Sequence, residues 1–152
     1  MSALGIIFPD QLSKNNKVYE ILKSSDDLLL YEPIESFYKH NHHKQKLVFL
    51  LASLRNLKKP LSAKFNIIHE KIKPKKTTFI GTYLKELFLK KDYEEIFVTK
   101  PADYETLSEL MFFAQSHGKA LHVLEDTKFI SESDDFKSWS EGKKSLVQEF
   151  YY

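Results

Sequence analysis

Five short apolar segments alternate with helix-forming segments along most of this chain, and this alternation limits the possible folds more than any other feature. Short runs that are apolar throughout are typical of strands buried on both faces. Strands that alternate with helices form a parallel sheet covered by helices on both faces. We therefore predict a three-layer α/β/α fold, Rossmann-like, with a five-stranded parallel sheet in the order 3-2-1-4-5. The five predicted strands are Leu4–Phe8, Leu28–Tyr31, Phe65–Ile68, Glu95–Thr99 and Ala120–Leu124.

Two helices between these strands are predicted from apolar spacing and end signals. Leucines recur at three- and four-residue steps between positions 47 and 61, which indicates a long helix with one apolar stripe. Asn41 is its expected N-cap, and Pro60 is expected to bend or end it. A later helix is expected to be capped by Asp103 and to end at Gly118, because glycine tolerates the left-handed conformation that follows a helix.

The composition narrows the function classes. The chain has no cysteine, which excludes a disulfide scaffold and a thiolate metal cluster within it. Its start does not resemble a secretory signal, and it has no apolar stretch of transmembrane length; we expect a soluble, cytoplasmic protein without a membrane partner. Arg55 is the single arginine among many lysines. Bidentate phosphate recognition favours arginine, so the composition argues against a dedicated nucleic-acid site.

Three segments, in order along the chain, resemble the deoxyribodipyrimidine photolyase-related proteins, the iron–sulfur bacterial cryptochromes and photolyases. The first is Phe8-Pro9-Asp10-Gln11-Leu12-Ser13. The second runs from His42-His43-Lys44-Gln45-Lys46-Leu47 into Ala52-Ser53-Leu54-Arg55. The third comprises Leu124-Glu125-Asp126-Thr127-Lys128-Phe129, then Trp139, Gly142-Lys143-Lys144 and Glu149-Phe150-Tyr151. Their shared order across nearly the whole chain carries the resemblance.

The resemblance implies that this chain is the amino-terminal part of a larger flavoprotein. Residues 1–130 would form the α/β antenna domain, and residues 131–152 a linker to a helical domain. That helical domain would hold FAD, an iron–sulfur cluster and the cleft that faces DNA, so DNA would be a partner only of the full-length protein. The antenna domain would not be catalytic alone. It would harvest light for DNA photorepair or blue-light sensing through a pigment such as 6,7-dimethyl-8-ribityllumazine.

A pigment site is expected beyond the carboxyl ends of the strands, because ligands of open parallel sheets bind where the strand order reverses. The loops there follow strands one, two and four. Phe8 and Ile34 would line an apolar slot, and Pro9, which stands where many relatives have glycine, is a further candidate site residue. The ribityl hydroxyls would need acceptors and the ring edge an amide. The candidates for these polar roles are Asp10, Glu32, Glu35 and Gln11.

Other interpretations of the same residues remain open. An aspartate after a strand is common in turns, so Asp10 would then have only a turn role, and Glu32 would be a solvated side chain. The domain would be a structural module without antenna if the rings of Phe8 and Phe37 fill the crevice. A small flavodoxin- or receiver-like domain would instead use Asp10 with the acids Asp26 and Asp27, and with Lys128 after strand five.

Two common kinds of site are not predicted. No glycine-rich phosphate loop occurs in the sequence, so ordinary dinucleotide or nucleoside-triphosphate binding is not expected. His40, His42 and His43 do not have the three- or four-residue spacing that would place metal ligands on one helical face. We therefore predict no metal site in this chain.

Overall fold

A computed structural model of the chain describes residues 2–33, 37, 39, 42–72, 79–128 and 133–147. Five strands form one sheet in the order β3-β2-β1-β4-β5, and every neighbouring pair is parallel. The predicted fold class and strand order are confirmed. The strands are β1 (Ala3–Ile7), β2 (Asp27–Tyr31), β3 (Asn66–Glu70), β4 (Glu95–Thr99) and β5 (Ala120–Leu124).

Helices cover both faces of the sheet. They are α1 (Lys17–Ile21), α2 (Lys44–Leu61), α3 (Ile80–Phe88), α4 (Tyr104–Ser116) and α5 (Ser133–Ser140). Side chains of α3 and α4 pack on one face, in a core that contains Leu4, Ile6, Leu29 and Tyr31. Side chains of α1 and α2 pack on the other face, against Ile7, Leu28 and Leu30. This alternation of facing side chains is the period of two that a strand imposes.

Strands β1 and β2 are buried along their whole length, whereas the edge strands β3 and β5 are not. Every residue of β1 and β2 is buried, and β3 and β5 contain half-buried or exposed residues. Gly5 lies at the middle of β1, where α1 approaches closely. A Cβ atom at this position would lie 2.4 Å from Leu22 Cδ1 and 2.8 Å from Val18 Cγ1. The glycine therefore allows α1 to contact the sheet.

The helix ends follow local chemistry, with some differences from the predictions. α2 begins at Lys44, capped by the His43 side chain, which accepts from the amide of Gln45; the predicted cap, Asn41, lies outside the described residues. Pro60 lies within the last turn of α2, which continues to Leu61. Asp103 caps α4 as predicted, since its carboxylate accepts from the amide of Thr106 over 2.7 Å.

The turn after α4 also follows the sequence prediction. Gly118 has φ +62°, the left-handed conformation expected after the helix. None of the helices within the described ranges is both long and apolar enough to cross a membrane.

Candidate functional site at the carboxyl end of the sheet

A pocket of about 280 Å³ lies beyond the carboxyl ends of the strands, where the strand order reverses. Three loops and two helices form it: the loops after β1, β2 and β4, the first turns of α2 and the start of α4. Its volume is close to the lower end of the roughly 300–1,000 Å³ typical of small-molecule sites. The described lining residues are Phe8, Pro9, Asp10, Pro33, Phe37, His42, Lys46, Leu47, Leu50, Pro101, Ala102, Asp103 and Thr106.

The loop after β1 contributes three of the predicted site residues to this lining. Phe8 and Pro9 are buried, and Asp10 is exposed at the rim. The Phe8 ring meets the Tyr31 ring edge to face, with 6.0 Å between the ring centroids. One side of Phe8 is therefore held by the core, while the residue also borders the pocket. Two further predicted residues, Ile34 and Glu35, lie outside the described residues.

Gln11 is buried and braces the site without lining the pocket. Its amide nitrogen donates to the carbonyl oxygens of Thr99, over 2.9 Å, and of Lys100, over 3.2 Å. Its backbone carbonyl accepts from the side-chain amide of Asn16 over 3.0 Å. The loop after β1 is thus tied to the end of β4 across the switch point. The side-chain amide nitrogen of Gln11, which was predicted to contact a ligand, therefore donates to protein carbonyls instead.

Glu32 is fully buried and also lies outside the pocket lining. Its carboxylate accepts from Arg55 Nε and Nη2, both over 2.7 Å. It also accepts from the amide of Ile72 over 2.9 Å. The expectation that Glu32 is solvated is therefore wrong, because protein donors replace water around both of its oxygens.

His69 completes the surroundings of this carboxylate. Its Nε2 lies 3.0 Å from Glu32 Oε1 and must donate, since an ionised carboxylate only accepts. Burial alone raises the pKa of Glu32, but the hydrogen bonds from Arg55, Ile72 and His69 outweigh it and lower that pKa below its usual value. Burial lowers the pKa of His69, which favours the neutral ring. The carboxylate is thus kept ionised beside a neutral histidine.

The first turns of α2 form a wall that the sequence analysis did not assign to the site. Lys46, Leu47 and Leu50 of α2 line the pocket from this side, together with His42 just before the helix. The two leucines belong to the predicted apolar stripe of α2, and they line the pocket although that stripe was not assigned to a site. The signal available in the sequence was a pair of polar side chains, His42 and Lys46, close to the start of the predicted helix. They add nitrogen-bearing side chains to a pocket that Asp10 also lines.

Contacts between neighbouring segments hold the pocket rim together. Lys39, in the segment after β2, forms an ion pair with Glu105 in the first turn of α4. Lys128 Nζ, after β5, donates to the backbone carbonyl of Asp10 over 2.6 Å. The loops around the pocket therefore contact each other directly. Both lysines are largely exposed, so each contact is worth little on its own.

Comparison with known proteins shows the family to which the chain belongs. The model of the family described as deoxyribodipyrimidine photo-lyase-related protein matches residues 5–152. The chain belongs to this family. Among curated relatives, the photolyase-related chain is similar to a (6-4) photolyase of Agrobacterium fabrum, with 27% identity over the whole chain. It covers 31% of the length of that relative.

The photolyase-related chain does not assemble a receiver-type acidic cluster. Asp10 follows β1, whereas Asp26 and Asp27 lie at the start of β2, at the opposite end of the sheet. Asp26 accepts from the amides of Ala3 and Lys23, and Asp27 is engaged by Lys91. These acids cannot act on one phosphate with Asp10.

No metal-binding cluster is found in the described part of the photolyase-related chain. Within it, no group of three or more histidine, aspartate or glutamate side chains has an arrangement suited to a metal ion. His42 instead packs edge to face against Phe37, with 6.2 Å between the ring centroids. His43 caps α2. His40 lies outside the described residues.

Proposed function

We propose that this chain is the amino-terminal light-harvesting domain of a photolyase- or cryptochrome-like flavoprotein, with an antenna pigment of the ribityllumazine class in the pocket. The observation that carries the proposal is a pocket with an apolar interior and a polar rim at the switch point of a parallel sheet, in a chain of the photo-lyase-related family. The coverage of a much longer photolyase supports a place within a larger protein. The domain would not be catalytic alone.

The proposal assigns the remaining chemistry to other parts of that protein. A helical domain, joined through residues 131–152, would hold FAD and an iron–sulfur cluster and would contact DNA. The antenna would absorb violet-blue light and pass its excitation to the flavin. Nothing in the α/β domain would then need to react, and its residues would only bind and orient the pigment.

The residues of the pocket fit a flat heterocycle with a polyhydroxylated chain. Phe8, Phe37 and Leu50 offer apolar surface to a ring system, which gains from burial and from aromatic contact. Asp10 at the rim would accept from ribityl hydroxyls. Lys46 on the opposite wall would donate to carbonyl oxygens of the ring edge. A concave, largely apolar site with a few polar groups is the usual form of a small-molecule site.

Titration of the purified chain with 6,7-dimethyl-8-ribityllumazine tests this proposal. We expect saturable binding, observed as increased fluorescence anisotropy of the pigment. Ala102→Trp adds an indole to the pocket wall and should weaken binding by at least about tenfold. Ala52→Trp, at an exposed position of α2, is the matched control and should bind like the unmodified chain. Pigment that stays free at every protein concentration would remove the antenna assignment.

A second candidate is a structural module without antenna. Two observations favour it. The polar side-chain atoms of Gln11 and Glu32 already form hydrogen bonds within the protein, and the Phe8 ring contacts Tyr31. Under this alternative, Ala102→Trp leaves every ligand measurement unchanged because no ligand binds. The same titration therefore separates the two candidates.

A further inference from the structure

The Glu32 carboxylate joins three elements at one buried point. It lies directly after β2, Arg55 reaches it from α2, and His69 reaches it from β3. Each interaction is short, and the Glu32 side chain has no exposed surface. A buried carboxylate is tolerated only where charges and donors replace its water, and this one is surrounded by four donor groups.

Each residue of the Arg55–Glu32 pair is connected along the chain to residues that line the pocket. Pro33, which lines the pocket, follows Glu32 in the chain. Leu50 and Leu47 line it five and eight residues before Arg55 on the same helix. A helix rises about 1.5 Å per residue, so these leucines lie about 7 to 12 Å from Arg55 along a rigid rod. The ion pair therefore links the wall formed by α2 to the wall formed by the loop after β2.

We propose that Arg55 is a positioning residue of the pocket, which holds the α2 wall at the spacing that the pigment requires. This inference rests on the proposed function for its ligand. Arg55 would not touch the pigment; it would act through Glu32 and through α2. The planar guanidinium contacts both carboxylate oxygens at once, so it fixes orientation as well as distance. A lysine would contact one oxygen as a point charge and leave α2 free to rotate.

A second buried pair in the same molecule provides a matched control. Lys91 Nζ lies 2.7 Å from Asp27 Oδ2 at the amino end of the sheet, far from the pocket. The two cations have equal exposure, 45% each, and the carboxylates are 0% and 2% exposed for Glu32 and Asp27. Removal of either cation leaves a buried carboxylate without its charge partner. Only Arg55 connects to a pocket wall.

The test compares Arg55→Gln, Arg55→Lys and Lys91→Gln in the full chain, by thermal unfolding and by ribityllumazine titration. Both glutamine variants should unfold at lower temperature. At a temperature where all variants are folded, Arg55→Gln should weaken pigment binding by at least about tenfold, and Lys91→Gln by less than about twofold. Arg55→Lys should regain most of the thermal stability but less of the affinity.

Hydrogen exchange provides a readout that does not need the pigment. Amides of residues 44–54 should exchange faster in Arg55→Gln than in Lys91→Gln, because α2 loses its anchor at the sheet. Equal exchange in the two variants, or equal loss of pigment affinity, would mean that Arg55 contributes only general stability and would overturn the inference. If the unmodified chain binds no pigment, the proposed function fails, while the exchange comparison still decides whether Arg55 positions the wall.

Discussion

The side-chain amide of Gln11 donates to the carbonyl oxygen of Thr99 over 2.9 Å and thereby joins the ends of the two strands that flank the switch point. β1 and β4 are hydrogen-bonded neighbours, but the helices that follow them pack on opposite faces of the sheet. A bond from one loop to the other strand keeps the crevice between them at a defined width. Gln11 thus braces the crevice from the loop after β1.

Replacement of Gln11 by leucine should destabilise the fold. Leucine fills similar space but cannot donate, so the buried carbonyl of Thr99 loses its side-chain partner. An unpaired buried polar group costs about 1–3 kcal/mol, and we expect a loss of this size in the free energy of unfolding measured with urea. Gln115→Leu, at an exposed position of α4, should change it by less than about 0.5 kcal/mol. Equal effects of the two changes would argue against the brace.

Alanine at Gly5 should also destabilise the protein, because its Cβ would lie within 3 Å of side chains from α1 and β2. Overpacking of this kind costs about 1–3 kcal/mol. Gly81→Ala is the control: the nearest atom to its added Cβ is Glu109 Oε2 at 3.7 Å, and the position lies in α3. Alanine favours helix there by up to about 1 kcal/mol. The midpoint temperature of thermal unfolding should therefore fall in Gly5→Ala and rise in Gly81→Ala.

His69 should make the stability of the domain depend on pH below about 6.5, its ordinary pKa. Burial lowers its pKa in the folded state, so the unfolded chain binds the proton more readily in that range. Protonation then favours unfolding, and stability falls as the pH decreases from about 6.5 toward the folded-state pKa. His69→Gln should flatten this part of the curve in urea titrations at several pH values. A curve that His69→Gln leaves unchanged would mean that His69 does not cause this pH dependence.

Tyr93 should be required for the buried Asp27 carboxylate at the amino end of the sheet. Its hydroxyl donates to Asp27, and burial followed by this hydrogen bond raises the Tyr93 pKa well above its ordinary value. Tyr93→Phe removes the donor and should cost about 1–3 kcal/mol of unfolding free energy. Tyr104→Phe, 82% exposed on α4, should have no measurable effect. A neutral result for Tyr93→Phe would show that Lys91 and Asn66 satisfy Asp27 alone.

Local patterns were sufficient to predict the architecture. β1 (Ala3–Ile7) and β2 (Asp27–Tyr31) have bounds within one residue of those predicted from apolar runs, and β4 (Glu95–Thr99) and β5 (Ala120–Leu124) agree at both ends. β3 is shifted by one to two residues, to Asn66–Glu70. It is an edge strand with half-buried residues, so its apolar signal is weaker than that of the centre. The Asp103 cap and the turn at Gly118 were predictable because both depend on a few adjacent residues.

The site was predicted less completely. The position of the crevice follows from strand order, and Phe8, Pro9 and Asp10, predicted as site residues, line the pocket there. Gln11 and Glu32 were predicted as ligand contacts, but the structure places both behind the pocket with their polar atoms engaged by the protein. Lys46 and His42 were not predicted, because a helix wall depends on how far α2 extends past the sheet.

The amino-acid sequence by itself determined the order, type and approximate bounds of the strands and helices, and with them the crevice at the switch point. These features follow from apolar periodicity and from caps that involve near neighbours. Only the tertiary structure decided which polar groups meet. Glu32 bonds to Arg55, His69 and Ile72, which are 23, 37 and 40 residues away. A carboxylate can be buried where such distant donors converge, and no local pattern records that convergence.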